Sequence, residues 1–169
     1  MATASKAIRV RKYRPQDAVA VGRLIAETYR KYNMDGLSSA AQEKLLGPFA
    51  HAWSEDPSHQ RTIAEILRSP LLYVGTIDGK IAGVLRGREN VLASLFVHET
   101  AHRKGLGRAL VERFEKDSIA QGAQWIRVAA TEYAIPFYQA VGYKKTTGLR
   151  NLKSFEGTGL RYQPMKKVL

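Results

Sequence analysis

An eleven-residue stretch, His98 to Arg108, constrains this chain most strongly, because two incompatible local structures fit its letters HETAHRKGLGR. In the first, His98, Glu99 and His102 form an H-E-x-x-H pattern, which binds zinc on a helix whose i and i+4 positions share one face. In the second, the stretch is a polar, glycine-containing turn between a strand and a helix. The neighbouring sequence decides between them.

The residues before the stretch favour the turn. The apolar, partly β-branched run 91–97 follows the turn-like sequence 87–90, and this pattern predicts a buried strand that ends near Val97. A zinc-binding helix would also be weakened by Gly105 and Gly107 in its next turn. We therefore expect no metal site and interpret both histidines as loop residues.

The residues after the stretch predict a helix that begins near Gly105 and ends at Gly122. Its apolar side chains recur at i, i+4 and i+8, namely at Leu106, Leu110 and Phe114. A helix N-terminus offers free N–H groups and a positive dipole end, so a phosphate binds there readily. On the loop alone, a tight turn that needs small residues explains the glycines as well, and both interpretations stay open.

A second pattern follows this helix. The run Trp125–Ala130 predicts another strand, and Pro136 suits the first turn of a short helix that ends at Gly142. The short helix carries two adjacent aromatic residues, Phe137 and Tyr138, from one strand into the next.

Together these patterns resemble the GNAT superfamily of N-acyltransferases. Its acetyl-CoA motif is similar to Leu95–Val97 followed by the loop through Arg108, and its later Ala-x-x-Phe-Tyr-x-x-x-Gly-Tyr/Phe signature is similar to residues 134–143. The resemblance implies an α/β (α+β) fold, with a mixed, mostly antiparallel central sheet of about six to seven strands. This sheet would be flanked by helices and splayed between strands 4 and 5, in a single domain over residues 1–169.

The resemblance also implies where acetyl-CoA, the acyl donor, binds. The pantetheine arm would lie between strands 4 and 5, near Thr131 and along Leu95, Phe96 and Val97. The pyrophosphate would rest on the loop and the first helical turn, at His102, Arg103, Lys104, Gly105, Leu106, Gly107 and Arg108.

Two positions depart from the family pattern. His102 replaces the usual Arg or Gln, which matters little because backbone N–H groups do most of the loop's work. Thr131 stands where many members have an Asn that contacts the pantetheine arm, so this one contact is in doubt.

The resemblance to the family also implies catalytic roles for particular residues. The Tyr of the Phe-Tyr pair, Tyr138, would act as the general acid that protonates the leaving thiolate. The alternative is an aromatic side chain packed in the core. For the base, Glu89, His98 and Glu132 are candidates by position, but each is more simply a solvated loop residue, and none is assigned.

The first ninety residues predict further elements. Ala7–Lys12 is expected to form a strand, Asp17 to cap a helix, and Asp78-Gly79 to turn a β-hairpin between two apolar runs. Short helices are expected at 38–46 and 60–68.

By resemblance, the first helices shape the acceptor pocket. Its candidate lining is aromatic and apolar, with core packing as the alternative for each side chain: Tyr29, Tyr32, Met34, Phe49 and Trp53.

The composition excludes some kinds of protein and site. The chain has no cysteine, which excludes disulfides and thiol nucleophiles, and its first residues lack the apolar core of a signal peptide. No apolar run is long enough to span a membrane, so we expect a cytoplasmic protein. The net charge of +12 would attract a polyanionic partner, but a solvated basic surface is the simpler explanation and no nucleic-acid motif supports a partner. The cations crowd the C-terminal quarter, at Lys144, Lys145, Arg150, Lys153, Arg161, Lys166 and Lys167.

Three hypotheses about function follow. The first, which we favour, is an acetyl-CoA-dependent N-acetyltransferase that acts on a primary amine of a small molecule or a protein. The second keeps the fold but acylates an aminoacyl-tRNA or a ribosomal protein through the basic surface. The third is a non-catalytic acyl-CoA-binding or basic binding module. A homodimer through the C-terminal strand, around Leu160–Val168, is a further expectation from the family.

Overall fold

A computed structural model describes residues 7–154 and 157–169, except for the side chains of 152–154 and 157–159. Residues 1–6 lie outside the described residues, and the expectation about a signal peptide rests on them. The side chain of Lys153, one of the predicted cations, also lies outside the described part. The strands are β1 (Ile8–Lys12), β2 (Leu71–Ile77), β3 (Lys80–Arg88), β4 (Val91–Val97), β5 (Trp125–Thr131), β6 (Lys144–Lys145), β7 (Arg150–Ser154) and β8 (Gly157–Val168). The helices are α1 (Ala18–Asn33), α2 (Ser39–Leu46), α3 (Pro57–Ile66), α4 (Leu106–Ala120) and α5 (Ile135–Ala140).

One mixed sheet organises the fold. Its strands follow the order β1-β2-β3-β4-β5-β8-β6, and β7 also pairs with β8. All neighbours are antiparallel except β4 and β5, which are parallel. This confirms the predicted fold class, with eight strands described where about six to seven were expected. The short strands β6 and β7 share one edge of β8, which accounts for the larger number.

Helix α4 packs closely on the sheet because three glycines leave room for it. An added Cβ at Gly75, Gly83 or Gly87 would come within 2.5, 2.9 or 2.4 Å of side-chain atoms of α4. The helix presents its predicted i, i+4, i+8 stripe to these glycines, and all three of its members are fully buried: Leu106, Leu110 and Phe114.

The opposite face of the sheet is covered by α1, α2 and α3, which form a second core. Asp17 stands at the start of α1 as predicted, but its side chain does not cap the helix. Its carboxylate instead accepts hydrogen bonds from the Arg11 guanidinium at 2.7 and 2.9 Å and from the Arg14 N–H at 2.8 Å. The expected cap is therefore wrong, because a neighbouring cation and a turn N–H compete for the same oxygens.

Strand β8 is hydrogen-bonded on both edges within the chain, to β5 on one side and to β6 and β7 on the other. A dimer through this strand, which stays a prediction, would have to use a face of the strand and not an edge. None of the helices in the described residues is both long and apolar enough to cross a bilayer.

Candidate active site

A gap opens between β4 and β5. The two strands are seven residues long, yet they pair only at Val91 with Arg127 and at Leu92 with Val128. Beyond Leu92, β4 stays paired with β3 through Val97, whereas β5 stays paired with β8 through Thr131. The strands therefore splay toward their C-terminal ends, where the sequence placed Leu95, Phe96 and Val97.

The backbone of β4 is directed into this gap. Peptide groups alternate in direction along a strand, and the His98 N–H donates to the Ala82 carbonyl of β3 at 2.8 Å. The peptide groups of His98 thus point toward β3, and those of every second residue along β4 point the same way. Leu95 and Val97 belong to the other set, so their N–H and C=O groups point away from β3, toward β5. The Val97 carbonyl accepts a hydrogen bond from His102 Nε2 at 2.7 Å, which leaves the polar groups of Leu95 and the Val97 N–H facing the gap.

The loop after β4 is not the helix that zinc binding requires. A single 3₁₀ turn covers Glu99–Ala101, and His98 and His102 on either side are extended. The His98 ring contacts Thr100 at 2.8 Å and Glu27 at 3.5 Å, away from the His102 bond to Val97. Within the described part of the chain, no three His, Asp or Glu side chains cluster so that they could hold a metal ion.

The loop reaches α4 through two left-handed residues. Arg103 has φ of 58° and Gly105 has φ of 85°, and Gly105 is the N-cap of α4. This backbone path brings the unpaired N–H groups of the first helical turn to the surface beside the gap. An added Cβ at Gly105 would meet no atom within 4 Å, so the space beside this N-cap residue is open.

The loop residues divide into two groups by exposure. Arg103, Lys104 and Arg108 are exposed. The Lys104 ammonium donates to the Thr100 carbonyl, and the Arg108 guanidinium donates to the Ala140 carbonyl at 3.4 Å. By contrast, the Leu106 side chain is fully buried in the core, so only its backbone belongs to the loop surface.

Helix α5 closes the other side of the loop. An added Cβ at Gly107 would lie 3.1 Å from the Phe137 ring and 3.6 Å from Val97 Cγ2, so α5, α4 and the end of β4 meet at this glycine. Tyr138 follows Phe137 and is 4% exposed. Its ring packs edge to face on Tyr143, with centroids 5.6 Å apart, and burial raises the pKa of its hydroxyl.

Thr131 is the last residue of β5 and is half-buried at the gap. It pairs with Tyr162 of β8 and precedes a 3₁₀ turn over Glu132–Ala134. The sequence placed it correctly at this strand end.

An aromatic stack spans the open end of the gap from the α1 side. The Tyr32 ring lies between His102, at 5.1 Å between centroids, and Tyr133, at 4.7 Å. The neighbouring Lys31 forms an ion pair with Glu99. The C-terminal end of α1 thus touches the loops that follow both β4 and β5.

The predicted acceptor-lining residues separate into two groups. Tyr29 packs on Phe96 with centroids 5.7 Å apart, and Tyr32 lies in the stack, so both adjoin the gap. Met34 and Phe49 are instead buried in the core between α1 and α3, and Trp53 is 44% exposed on the surface. The sequence missed Tyr133, because a single aromatic residue in a polar turn carries no periodic signal.

The three candidate general bases lie at different distances from the gap. Glu89 lies in the turn before Val91, at the opposite end of β4 from the gap. His98 and Glu132 lie at the gap end, where Glu132 is ion-paired with Arg161 at 2.8 Å.

The sequence of residues 36–169 matches the acetyltransferase (GNAT) domain family. This match covers most of the chain, and the chain belongs to that family.

Solved structures share the fold. The GCN5-related N-acetyltransferase from Rhodopseudomonas palustris is 22% identical, with 100% of this chain and 99% of that chain covered and a TM-score of 0.75. The PaiA N-acetyltransferase from Thermoplasma acidophilum, solved in complex with coenzyme A, is 19% identical, with 96% and 99% covered and a TM-score of 0.72. YncA from Salmonella typhimurium, a putative acetyltransferase solved with acetyl-CoA, is 17% identical, with 96% and 94% covered and a TM-score of 0.62.

Proposed function

We propose that this chain, as one GNAT domain over residues 1–169, transfers the acetyl group of acetyl-CoA to a primary amine. The observation that carries the proposal is the gap between β4 and β5, which opens beside a loop with left-handed residues at the N-terminus of α4. Family membership and the relatives solved with coenzyme A and acetyl-CoA support the choice of donor.

The donor site has a polar and an apolar part. The pyrophosphate is held by the N–H groups of the first turn of α4 and by the exposed cations Arg103, Lys104 and Arg108. The pantetheine arm enters the gap, where its amides pair with the exposed polar groups of Leu95 and Val97 as an added strand would. Phe96 and Thr131 border the same space.

The reaction is a direct acyl transfer. The amine nitrogen forms a bond to the thioester carbonyl carbon, the C–S bond breaks, and the amine loses a proton to solvent water, which afterwards reprotonates the general acid. Tyr138 gives its proton to the leaving thiolate as the general acid. The hydroxyl has a proton to give at neutral pH, because the pKa of an ordinary tyrosine is about 10 and burial raises the pKa of Tyr138 further.

A kinetic comparison of two tyrosines tests the proposal. The purified chain is incubated with acetyl-CoA and a panel of primary amines, and the release of free thiol is followed. We expect Tyr138→Phe to lower kcat about a hundredfold or more, the range for loss of an acid–base group. Tyr143→Phe is the matched control, because Tyr143 is equally buried and packs against Tyr138. Equal rates for wild type and Tyr138→Phe would remove the acid role, and no transfer to any amine would contradict the proposed reaction.

A further inference from the structure

A strongly basic sheet face lies outside the donor site. It is the face of β5, β8 and β6 turned away from α4 and α5. The opposite face carries the buried residues Ile126, Val128 and Met165, which belong to the α4-side core. No helix of the described residues covers the lower part of the outward face, where Arg127, Ala129, Lys144, Lys166 and Val168 are all exposed.

Strand register aligns three cations across this face. Lys166 of β8 is directly opposite Arg127 of β5 on one side and Lys144 of β6 on the other. Directly opposed residues of antiparallel strands share a face, and neighbouring strands lie about 4.8 Å apart. We call these three residues the cation row. Its backbone positions span about 10 Å by the same spacing.

Aromatic residues and one further cation adjoin the cation row. The Lys166 ammonium lies 4.5 Å from the centre of the Trp125 ring. At the upper end of the same face, Tyr162 is opposite Arg150 of β7. An aromatic side chain therefore stands at each end of the face.

No carboxylate of the described residues pairs with the cation row. The sequences of β5, β6, β7 and β8 contain no Asp or Glu. Lys167 and Arg161, which point to the other face, are ion-paired with Glu115 and Glu132, whereas the cation row forms no ion pair with a described carboxylate. Glu89 borders a cleft of about 360 Å³ that Trp125 also lines. Holding three like charges in register is unfavourable unless an anion binds them.

We propose that this face binds the phosphate backbone of a single-stranded nucleic acid. Phosphates repeat at a short, regular interval along a strand, as do the charges of the cation row. A flat face of three strands does not enter a duplex groove, which admits a helix or a two-stranded ribbon. The terminal aromatics Trp125 and Tyr162 suit base stacking, the usual companion of such basic grooves. An acidic protein fits less well, because the centre of the face offers only Ala129 and Pro164 and no large apolar anchor.

The test measures binding of a fluorescein-labelled twelve-nucleotide poly(U) RNA to the full chain by fluorescence anisotropy, between 50 and 300 mM KCl. The variant is Arg127→Gln/Lys144→Gln/Lys166→Gln. For a single strand, each phosphate contact contributes about 0.7 to the steepness with which the logarithm of the association constant falls with the logarithm of the KCl concentration. Because the variant lacks three such contacts, this steepness should be lower by about 2. The affinity at 0.1 M salt should therefore fall about a hundredfold.

The matched control is Arg61→Gln/Arg68→Gln/Lys80→Gln, which removes three exposed cations elsewhere. Both variants carry a net charge of +9, that is +12 less three. The proposal expects the control to bind RNA within threefold of wild type and both variants to melt at the wild-type temperature. If a variant melts below the wild-type temperature, the single substitution Lys144→Gln replaces it, and the RNA affinity of that variant should be about fivefold lower than that of wild type.

Four results overturn the proposal. The first is no RNA binding by wild type, and the second is an equal loss in the control, which would make net charge the cause. The third is that oligoglutamate displaces the labelled RNA as effectively as unlabelled poly(U) does at the same concentration of charges. Saturating coenzyme A should leave RNA binding unchanged. Competition between the two would move the RNA to the donor loop and also overturn the assignment. None of these results bears on acetyl transfer itself.

Discussion

His102 Nε2 lies 2.7 Å from the Val97 carbonyl oxygen, and this bond folds the loop before α4 back onto the strand that precedes it. Because a carbonyl can only accept, the imidazole donates here. The same ring packs against Tyr32 at an interplanar angle of 41°, so one side chain links the loop, β4 and α1.

Replacing His102 with alanine should loosen the loop and weaken acetyl-CoA binding about fivefold. The lost hydrogen bond contributes on the order of 1 kcal/mol, and a factor of ten in affinity is about 1.4 kcal/mol. Titration calorimetry measures the change. His102→Gln, which keeps a donor, should recover part of the affinity. Unchanged binding by His102→Ala would show that the bond does not shape the donor site.

Arg103→Gly should separate stability from donor binding. Arg103 is held at φ of 58°, which costs a non-glycine residue about 1 kcal/mol or more, and glycine relieves this cost while adding flexibility to the unfolded chain. We expect the free energy of unfolding to change by less than about 1 kcal/mol. Acetyl-CoA binding should nevertheless weaken several-fold because a cation is lost at the pyrophosphate. Arg103→Lys, which keeps the charge, is the control, and equal affinity of the glycine variant would exclude a role for this charge.

Gly87→Ala should destabilise the fold. Its Cβ would lie 2.4 Å from the Phe114 ring and 2.7 Å from the Val91 backbone oxygen, and that backbone atom cannot move aside easily. We expect a loss of about 3 kcal/mol in the free energy of unfolding by urea denaturation, the upper end of the usual cost of overpacking. Gly148→Ala is the control, because nothing lies within 4 Å of its added Cβ. Similar stability for the two variants would mean that α4 does not pack as described.

Asp17 should make stability fall in acid. The Arg11 hydrogen bonds, aided by the Arg14 N–H and opposed by burial, hold the pKa of Asp17 below its ordinary value of 3.8. A lowered folded-state pKa contributes stability above the unfolded value, and this contribution is lost as the pH falls below about 4 through the folded value.

Asp17→Asn should therefore cost about 2 kcal/mol at pH 7, the usual contribution of hydrogen bonds to a charged group, and much less near pH 2. Chemical denaturation at both pH values measures the difference, with Asp35→Asn at an exposed position as the control. A cost that does not change with pH would contradict the ion-pair explanation.

Local patterns predicted most of the fold. The apolar run 91–97 gave β4, and the stripe of Leu106, Leu110 and Phe114 gave α4 because its i, i+4, i+8 spacing places all three on one buried face. The Asp78-Gly79 hairpin formed as expected, since both residues adopt positive φ.

What the sequence did not predict depends on contacts between distant residues. The stack of Tyr32 on Tyr133 joins α1 to the turn after β5, and no local pattern records it. Met34 and Phe49, for which the sequence left an acceptor pocket and core packing open, lie in the core. An apolar side chain in a helix carries no signal that distinguishes a pocket from packing. The three charges of the cation row come from three strands whose register only the folded sheet defines.

The measurement that tests the central claim most directly is a calorimetric titration of the full chain with acetyl-CoA, in metal-free buffer, for wild type and Gly105→Val. The account predicts one site of micromolar affinity for wild type. It predicts a loss of binding in the variant, because a branched side chain at φ of 85° would fill the open space before the N-terminus of α4. A thermal melt confirms that the variant is folded. No binding by wild type, or equal binding by a folded Gly105→Val, would contradict the assignment of this loop and gap as the acetyl-CoA site.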